Sequence, residues 1–144
     1  MGIITAICIS AEKGTSKKDV GQCELIAGFG LKDDAHAEGG HRQVSLLSLQ
    51  KIEEFRSRGA LVCFGDFGEN LVVDGIDFAN LPVGTKLRCG QALLEITQIG
   101  KECHNHCAIY KQMGDCIMPT EGIFARVLHG GIIKNGDRIY AEYL

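Results

Sequence analysis

The chain has no tryptophan, only two prolines, and no run of lysine and arginine longer than the pair Lys17-Lys18. With a formal net charge of -3 and a pI near 5.9, it lacks the basic field of a general nucleic-acid binder. No apolar run approaches the roughly 20 residues needed to span a bilayer, so no membrane association is expected. The apolar start, Met1 to Ile9, lacks the charged region and cleavage site of a secretory leader. Hydrophobic content of 45% against 23% charged residues excludes a disordered chain. The length of 144 residues fits a single domain, 1–144, with one core.

Glycine and cysteine are what the chain has in quantity, with 19 and 7 residues. An odd number of cysteines, irregularly spaced, does not match a secreted disulfide scaffold, and a reducing cytoplasm is the expected compartment. Cys8, Cys63 and Cys89 are expected to act as small buried hydrophobes in apolar strands. Cys23, in a polar stretch, carries no signal.

Many glycines and few prolines point to short strands joined by tight turns. Gly2 to Ile9 is rich in β-branched residues and reads as a strand, followed by a polar surface loop from Ser10 to Gln22. Gln43 to Leu47 reads as a strand running into the one clear helix, about Ser48 to Arg58. Ser48 is its candidate N-cap, Leu49, Ile52 and Phe55 share a face, and Gly59 stops it. Three hairpins are expected, at Asp74-Gly75, at Gly90-Gln91 and at Lys134 to Asp137, where Asn135-Gly136 favours a type I′ turn. The fold expected is mainly β, a closed or nearly closed barrel with one clear helix and a second short one around Cys107 to Met113.

The chemistry concentrates in Lys101-Glu102-Cys103-His104-Asn105-His106-Cys107, followed by Cys116. Three of the seven cysteines and two of the five histidines fall within these fourteen positions, 103 to 116. Thiolate and imidazole bind soft or borderline metals and carry sulfur chemistry. The residues leave two readings open beside plain burial. One is a structural zinc site using Cys103, Cys107 and Cys116, although C-x3-C-x8-C lacks the usual paired knuckles. The other is a single working thiolate whose pKa is lowered by His104, His106 and Lys101.

Other segments form an ordered series with this one: His41-Arg42-Gln43-Val44-Ser45-Leu46-Leu47, Phe67-Gly68-Glu69-Asn70-Leu71 with Asp74-Gly75, and Leu81-Pro82-Val83-Gly84. The series resembles the MOSC domain, named for the C-terminal domain of molybdenum cofactor sulfurases, from about His36 to the C-terminus. The resemblance implies a β-barrel and a cysteine, here Cys103, that carries sulfur or ligates molybdenum. It matches Arg42 to the family arginine and Glu69-Asn70 to the family motif. Glu102 stands where relatives often have arginine or proline, and His104, His106, Cys107 and Cys116 exceed the minimal pattern.

The implied cofactor is molybdenum cofactor (molybdopterin), an anionic, hydrogen-bond-rich pterin. Arg42 can hold its phosphate bidentately, while Asn70, Ser45, Glu69 and His104 are further candidate contacts. The leading expectation is a cytoplasmic protein that handles sulfur or delivers cofactor through Cys103. Its expected partners are a pyridoxal-phosphate-dependent cysteine desulfurase or a molybdoenzyme, since the chain holds no desulfurase domain. Two alternatives stand beside it: a small molybdenum-dependent reductase of N-hydroxylated compounds with an electron-donor partner, and a zinc-stabilised interaction domain.

Overall fold

The computed structural model describes residues 2–12, 17–35, 40, 42–100 and 122–142. The strands are β1 (Gly2–Ile9), β2 (Lys18–Asp19), β3 (Gln22–Ile26), β4 (Gly30–Leu31), β5 (Val44–Ser48), β6 (Leu71–Asp74), β7 (Lys86–Cys89), β8 (Ala92–Ile99), β9 (Ile123–His129), β10 (Gly131–Lys134) and β11 (Arg138–Glu142). The helix α1 (Leu49–Ser57) follows β5 without a break.

Among the described residues, seven strands close into a barrel in the order β1-β6-β5-β9-β8-β7-β11, with β11 returning to pair with β1. The β5–β6 pair is parallel, and the other neighbours around the ring are antiparallel. A parallel pair needs a crossover, and α1 with residues 58–70 supplies it.

Strand alternation sorts the side chains into two clusters. Ile4, Val44, Leu46, Val73, Leu94 and Ile139 belong to the cluster filling the barrel. Leu25, Leu31 and Ile133 join it from a small sheet ordered β10-β3-β4. Leu47, Val72 and Phe124 point the other way and meet Ile52, Phe55 and Phe67. That second cluster seats α1 on the outer wall, with Phe55 and Phe67 edge to face at 5.7 Å.

The mainly β barrel with a helix is as the sequence indicates, and its details differ in five places. Lys18–Asp19 is a strand on β1 and Lys17 is buried, so 10–22 is not simply a surface loop; the reason is an internal partner for the Lys17 ammonium, described below. Ser48 precedes α1 without a side-chain cap, its hydroxyl donating to Gln50 Oε1 at 3.2 Å instead. No hairpin forms at Asp74-Gly75, because both edges of β6 are taken by β1 and β5. The chain turns instead into a 3₁₀ turn, Phe78–Asn80, whose Ala79 N–H donates to the Asp77 carboxylate at 3.1 Å.

The Asn135-Gly136 turn also departs from the expectation. Gly136 is left-handed (φ 94°) but Asn135 is not, so this is not type I′, and the turn joins two sheets: β10 pairs with β3 while β11 pairs with β7 and β1. Finally, Cys63 is exposed in the 58–70 crossover, whereas Cys8 and Cys89 are buried as expected. The Gly90-Gln91 hairpin forms, pairing Cys89 with Ala92. The second short helix expected around 107–113 lies outside the described residues.

Candidate functional site

Asn70, just before β6, is the hub of a buried polar network. Its Nδ2 donates to the Cys8 carbonyl at 2.9 Å and to Asp34 Oδ2 at 3.0 Å, while its Oδ1 accepts from the Ser45 N–H at 3.0 Å. Two acceptors on one side and a backbone donor on the other fix the amide orientation. The Ser45 hydroxyl is 3.2 Å from Asn70 Oδ1, donates to the Gly68 carbonyl at 3.0 Å and accepts from the Asn70 N–H at 3.0 Å. Strand β5, strand β1 and the turn before β6 are thereby bolted together at one point.

The network includes an internal ion pair. Lys17 Nζ lies 2.7 and 2.9 Å from the two Asp34 oxygens, and the two side chains are 2% and 0% exposed. Asp34 Oδ1 also accepts from the Ser10 N–H at 3.1 Å. Burying a cation is costly unless it is paired, and this geometry pairs it. Sequence reasoning missed Lys17 and Asp34, because a lysine in a polar stretch gives no sign of burial.

Glu69 is completely buried. Its Oε1 accepts from the Phe67 N–H at 3.0 Å, while Oε2 has no hydrogen-bond partner among the described residues. Burial lifts its carboxyl from the ordinary 4.5 to about 7, against the pull of backbone N–H groups of Gly65, Glu69 and Phe67. The Cys8 and Cys89 thiols are pushed up to about 12, again chiefly by burial, and are poor nucleophiles.

Arg42 is exposed, its guanidinium 5.8 Å from the centre of the Phe124 ring. Phe124 is the register partner of Ser45, so Arg42 stands beside the wall that carries the Asn70 network. Gln43 sets the backbone here, with Nε2 donating to the Gly40 carbonyl at 2.8 Å and Oε1 accepting from the Val127 N–H at 2.9 Å. Gln43 was also not singled out by the sequence. Arg42, Ser45, Glu69 and Asn70 therefore share one region of the barrel. Cys103, His104, Cys107 and Cys116 lie outside the described residues; the flanking Gly100 donates its N–H to the Gly122 carbonyl at 2.7 Å, two residues before Phe124.

The donor chemistry here suits an anionic, ring-bearing cofactor in one respect. Arg42 is an exposed guanidinium beside an aromatic ring, a group able to take a phosphate in a bidentate fork. Ser45 and Asn70 fit as supports, since their polar atoms are engaged within the protein. Among the described residues, no group of three or more His, Cys, Asp and Glu side chains could hold a metal ion. No helix among them is long and apolar enough to cross a membrane.

A small closed barrel with a helix on its outer wall and a polar turn ahead of β6 defines a recognisable class of domain. The family model of the MOSC domain matches residues 33–140, and the chain belongs to that family, which is linked to molybdenum cofactor binding. No curated protein matches the chain. Among solved structures it is similar to YuaD from Bacillus subtilis, at 18% identity and a TM-score of 0.74, over 100% of this chain and 98% of that one. YiiM from Geobacillus stearothermophilus is similar at 19% identity and a TM-score of 0.76, over 99% and 76% of the two chains. YiiM from Escherichia coli gives 21% and 0.68, over 100% and 71%. At these identities the likenesses speak for the fold.

Proposed function

We propose that this protein binds molybdenum cofactor or a derivative of it and handles sulfur through Cys103. The observation that carries the reading is the family match across residues 33–140, within which Arg42 presents an exposed guanidinium beside Phe124. Arg42 would hold the cofactor's phosphate, and Ser45, Glu69 and Asn70 would shape the wall behind it. When bound, the cofactor would supply a thiophilic molybdenum centre to which the Cys103 thiolate or a transferred sulfur could attach.

Cys103 is the working thiol, with His104 beside it in sequence. Its thiolate attacks the outer sulfur of a persulfide on a separate donor protein, such as a cysteine desulfurase. The donor's S–S bond breaks with its electron pair leaving on the donor thiolate, and Cys103 then carries the persulfide. Cys107 and Cys116 are auxiliary thiols in this reading. The working compartment is the cytoplasm, where thiols stay reduced.

Metal and pterin analysis of anaerobically purified protein tests this. Molybdenum together with pterin, retained by wild type and lost in Cys103→Ser or Arg42→Ala, is the expected result. One zinc per chain without pterin would replace this reading with a zinc-stabilised domain held by Cys103, Cys107 and Cys116. Reduction of N-hydroxylated compounds by the molybdenum-loaded protein with an added electron donor would make it a reductase.

A further inference from the structure

Lys17 lies outside the segment that matches the family, yet its ammonium belongs to the network that fixes the Glu69-Asn70 turn. Among the described residues, Asp34 is shared by the Lys17 ammonium, the Ser10 N–H and the Asn70 amide. Lys17 neutralises that carboxylate in a place water does not reach, which lets Asp34 stay buried and accept from Asn70 Nδ2. The amide so oriented receives the Ser45 N–H, and Ser45 faces Phe124 in the ladder that stands under Arg42.

The strap carrying Lys17 is tied down independently. Its N–H donates to the Gly65 carbonyl at 3.2 Å, and β2 continues from it along β1. The ammonium thus comes from a fixed segment rather than from a free side chain finding a partner.

We propose that Lys17 and Asp34 are positioning residues for the anion-binding wall, acting through Asn70 and Ser45 to hold Arg42 over Phe124. The proposal rests on the cofactor-binding reading above. Neither residue touches the ligand; together they set the geometry of those that do.

Breaking a buried pair leaves an uncompensated charge, so Lys17→Met alone is expected to melt early and is a poor test. Two double variants separate positioning from stability. Lys17→Met with Asp34→Asn removes both charges but keeps an acceptor for the Asn70 amide. Lys17→Met with Asp34→Leu removes both charges and the acceptor as well. The Asn-containing variant should recover much of the melting temperature lost by the single variant, since it buries no lone charge. The Leu-containing one should recover less of it, since the Ser10 N–H and one Asn70 N–H lose their acceptor.

The probe is molybdenum cofactor released anaerobically from a purified molybdoenzyme, titrated into each protein. The Asn-containing double variant should bind within about threefold of wild type. The Leu-containing one should bind at least about tenfold more weakly, because the Asn70 amide has lost the acceptor that orients it. A Leu-containing variant that is folded and binds as wild type does would overturn the proposal, leaving the pair a stability element only. Equal loss of binding in both folded double variants would overturn it too, because the acceptor would not be what matters. If wild type itself fails to bind, the functional reading falls and this proposal falls with it.

Discussion

At the scale of the residue, Glu69 and Arg42 show opposite uses of charge. Glu69 has no exposure and only one oxygen hydrogen-bonded among the described residues, so its ionised form is poorly solvated. Its folded pKa of about 7 lies above the ordinary 4.5, so the folded state holds the proton more tightly than the unfolded one. The stability this gives is full below the unfolded value and is lost as pH rises through about 7, over a range worth on the order of 3 kcal/mol. The nearby Asp66 carboxylate adds to the upward shift. Glu69→Gln should therefore gain stability relative to wild type on going from pH 5 to pH 8. Denaturant melts across that range check this, and parallel curves for the two proteins would refute it. Arg42 instead is exposed, with its guanidinium over the Phe124 ring. Arg42→Lys should weaken cofactor binding by about 1.5–3 kcal/mol while leaving the melt unchanged, since an ammonium cannot form the planar fork. Titration calorimetry decides it, and equal affinities would make Arg42 a point charge. Arg42 and Glu69 could be marked in the sequence by their motifs, but Lys17 and Asp34 could not. Their importance exists only where the strap meets the barrel, 17 positions apart in the chain.

At the scale of the element, what the sequence revealed depended on whether a strand's partner was its neighbour. The β7–β8 hairpin was legible because Gly90, left-handed at φ 57°, turns two adjoining strands into one ladder. Helix α1 was legible because Ile52 and Phe55 fall on one face and Gly59 ends it at φ 99°. Strand β6 pairs instead with β1 and β5, and a turn signal such as Asp74-Gly75 reveals nothing about occupied edges. Cys63 was misplaced for a similar reason, because the crossover that exposes it is dictated by the parallel β5–β6 pair. That crossover ends in a turn whose two glycines do different work. Both are left-handed, Gly65 at φ 95° and Gly68 at φ 82°. A Cβ on Gly68 would meet nothing within 4 Å, whereas one on Gly65 would collide with the Lys17 carbonyl oxygen. Gly68→Ala should thus cost only backbone strain, about 1 kcal/mol. Gly65→Ala should cost roughly 3 kcal/mol or more and free the Lys17 strap, because backbone must move to admit the methyl. Chemical denaturation ranks the pair, and equal losses would mean that the close approach to Lys17 does not constrain the turn.

At the scale of the whole molecule, closure is the feature composition could suggest but not prove. Glycine-rich strands announced a β architecture, while the ring depends on the two ends of the chain meeting. The seam is narrow: β1 and β11 share the register pairs Gly2 with Ile139 and Ile3 with Arg138. The Ile4 N–H adds a bond to the Asp137 carbonyl at 2.9 Å, and the Gly136 N–H adds one to the Ile4 carbonyl at 2.8 Å. Opposite it, β8 and β9 remain paired from Leu93 with His129 to Ile99 with Ile123, through two register shifts. A barrel opens where the fewest ladder bonds must break together, so the seam should open by local fluctuation while β8 and β9 open only with the whole fold. Native-state hydrogen exchange should then show the Ile4 amide exchanging faster than the amides bonded between β8 and β9, with a weaker dependence on denaturant. Gly2 should be the sensitive point of the seam, because a Cβ there would meet the Asp74 carbonyl oxygen at 2.8 Å and Ile76 Cγ1 at 2.7 Å. Gly2→Val should widen the gap in exchange rates between the two sides of the barrel. Uniform protection around the ring, unchanged in that variant, would mean that β1 and β11 are held by the interior cluster rather than by their short ladder.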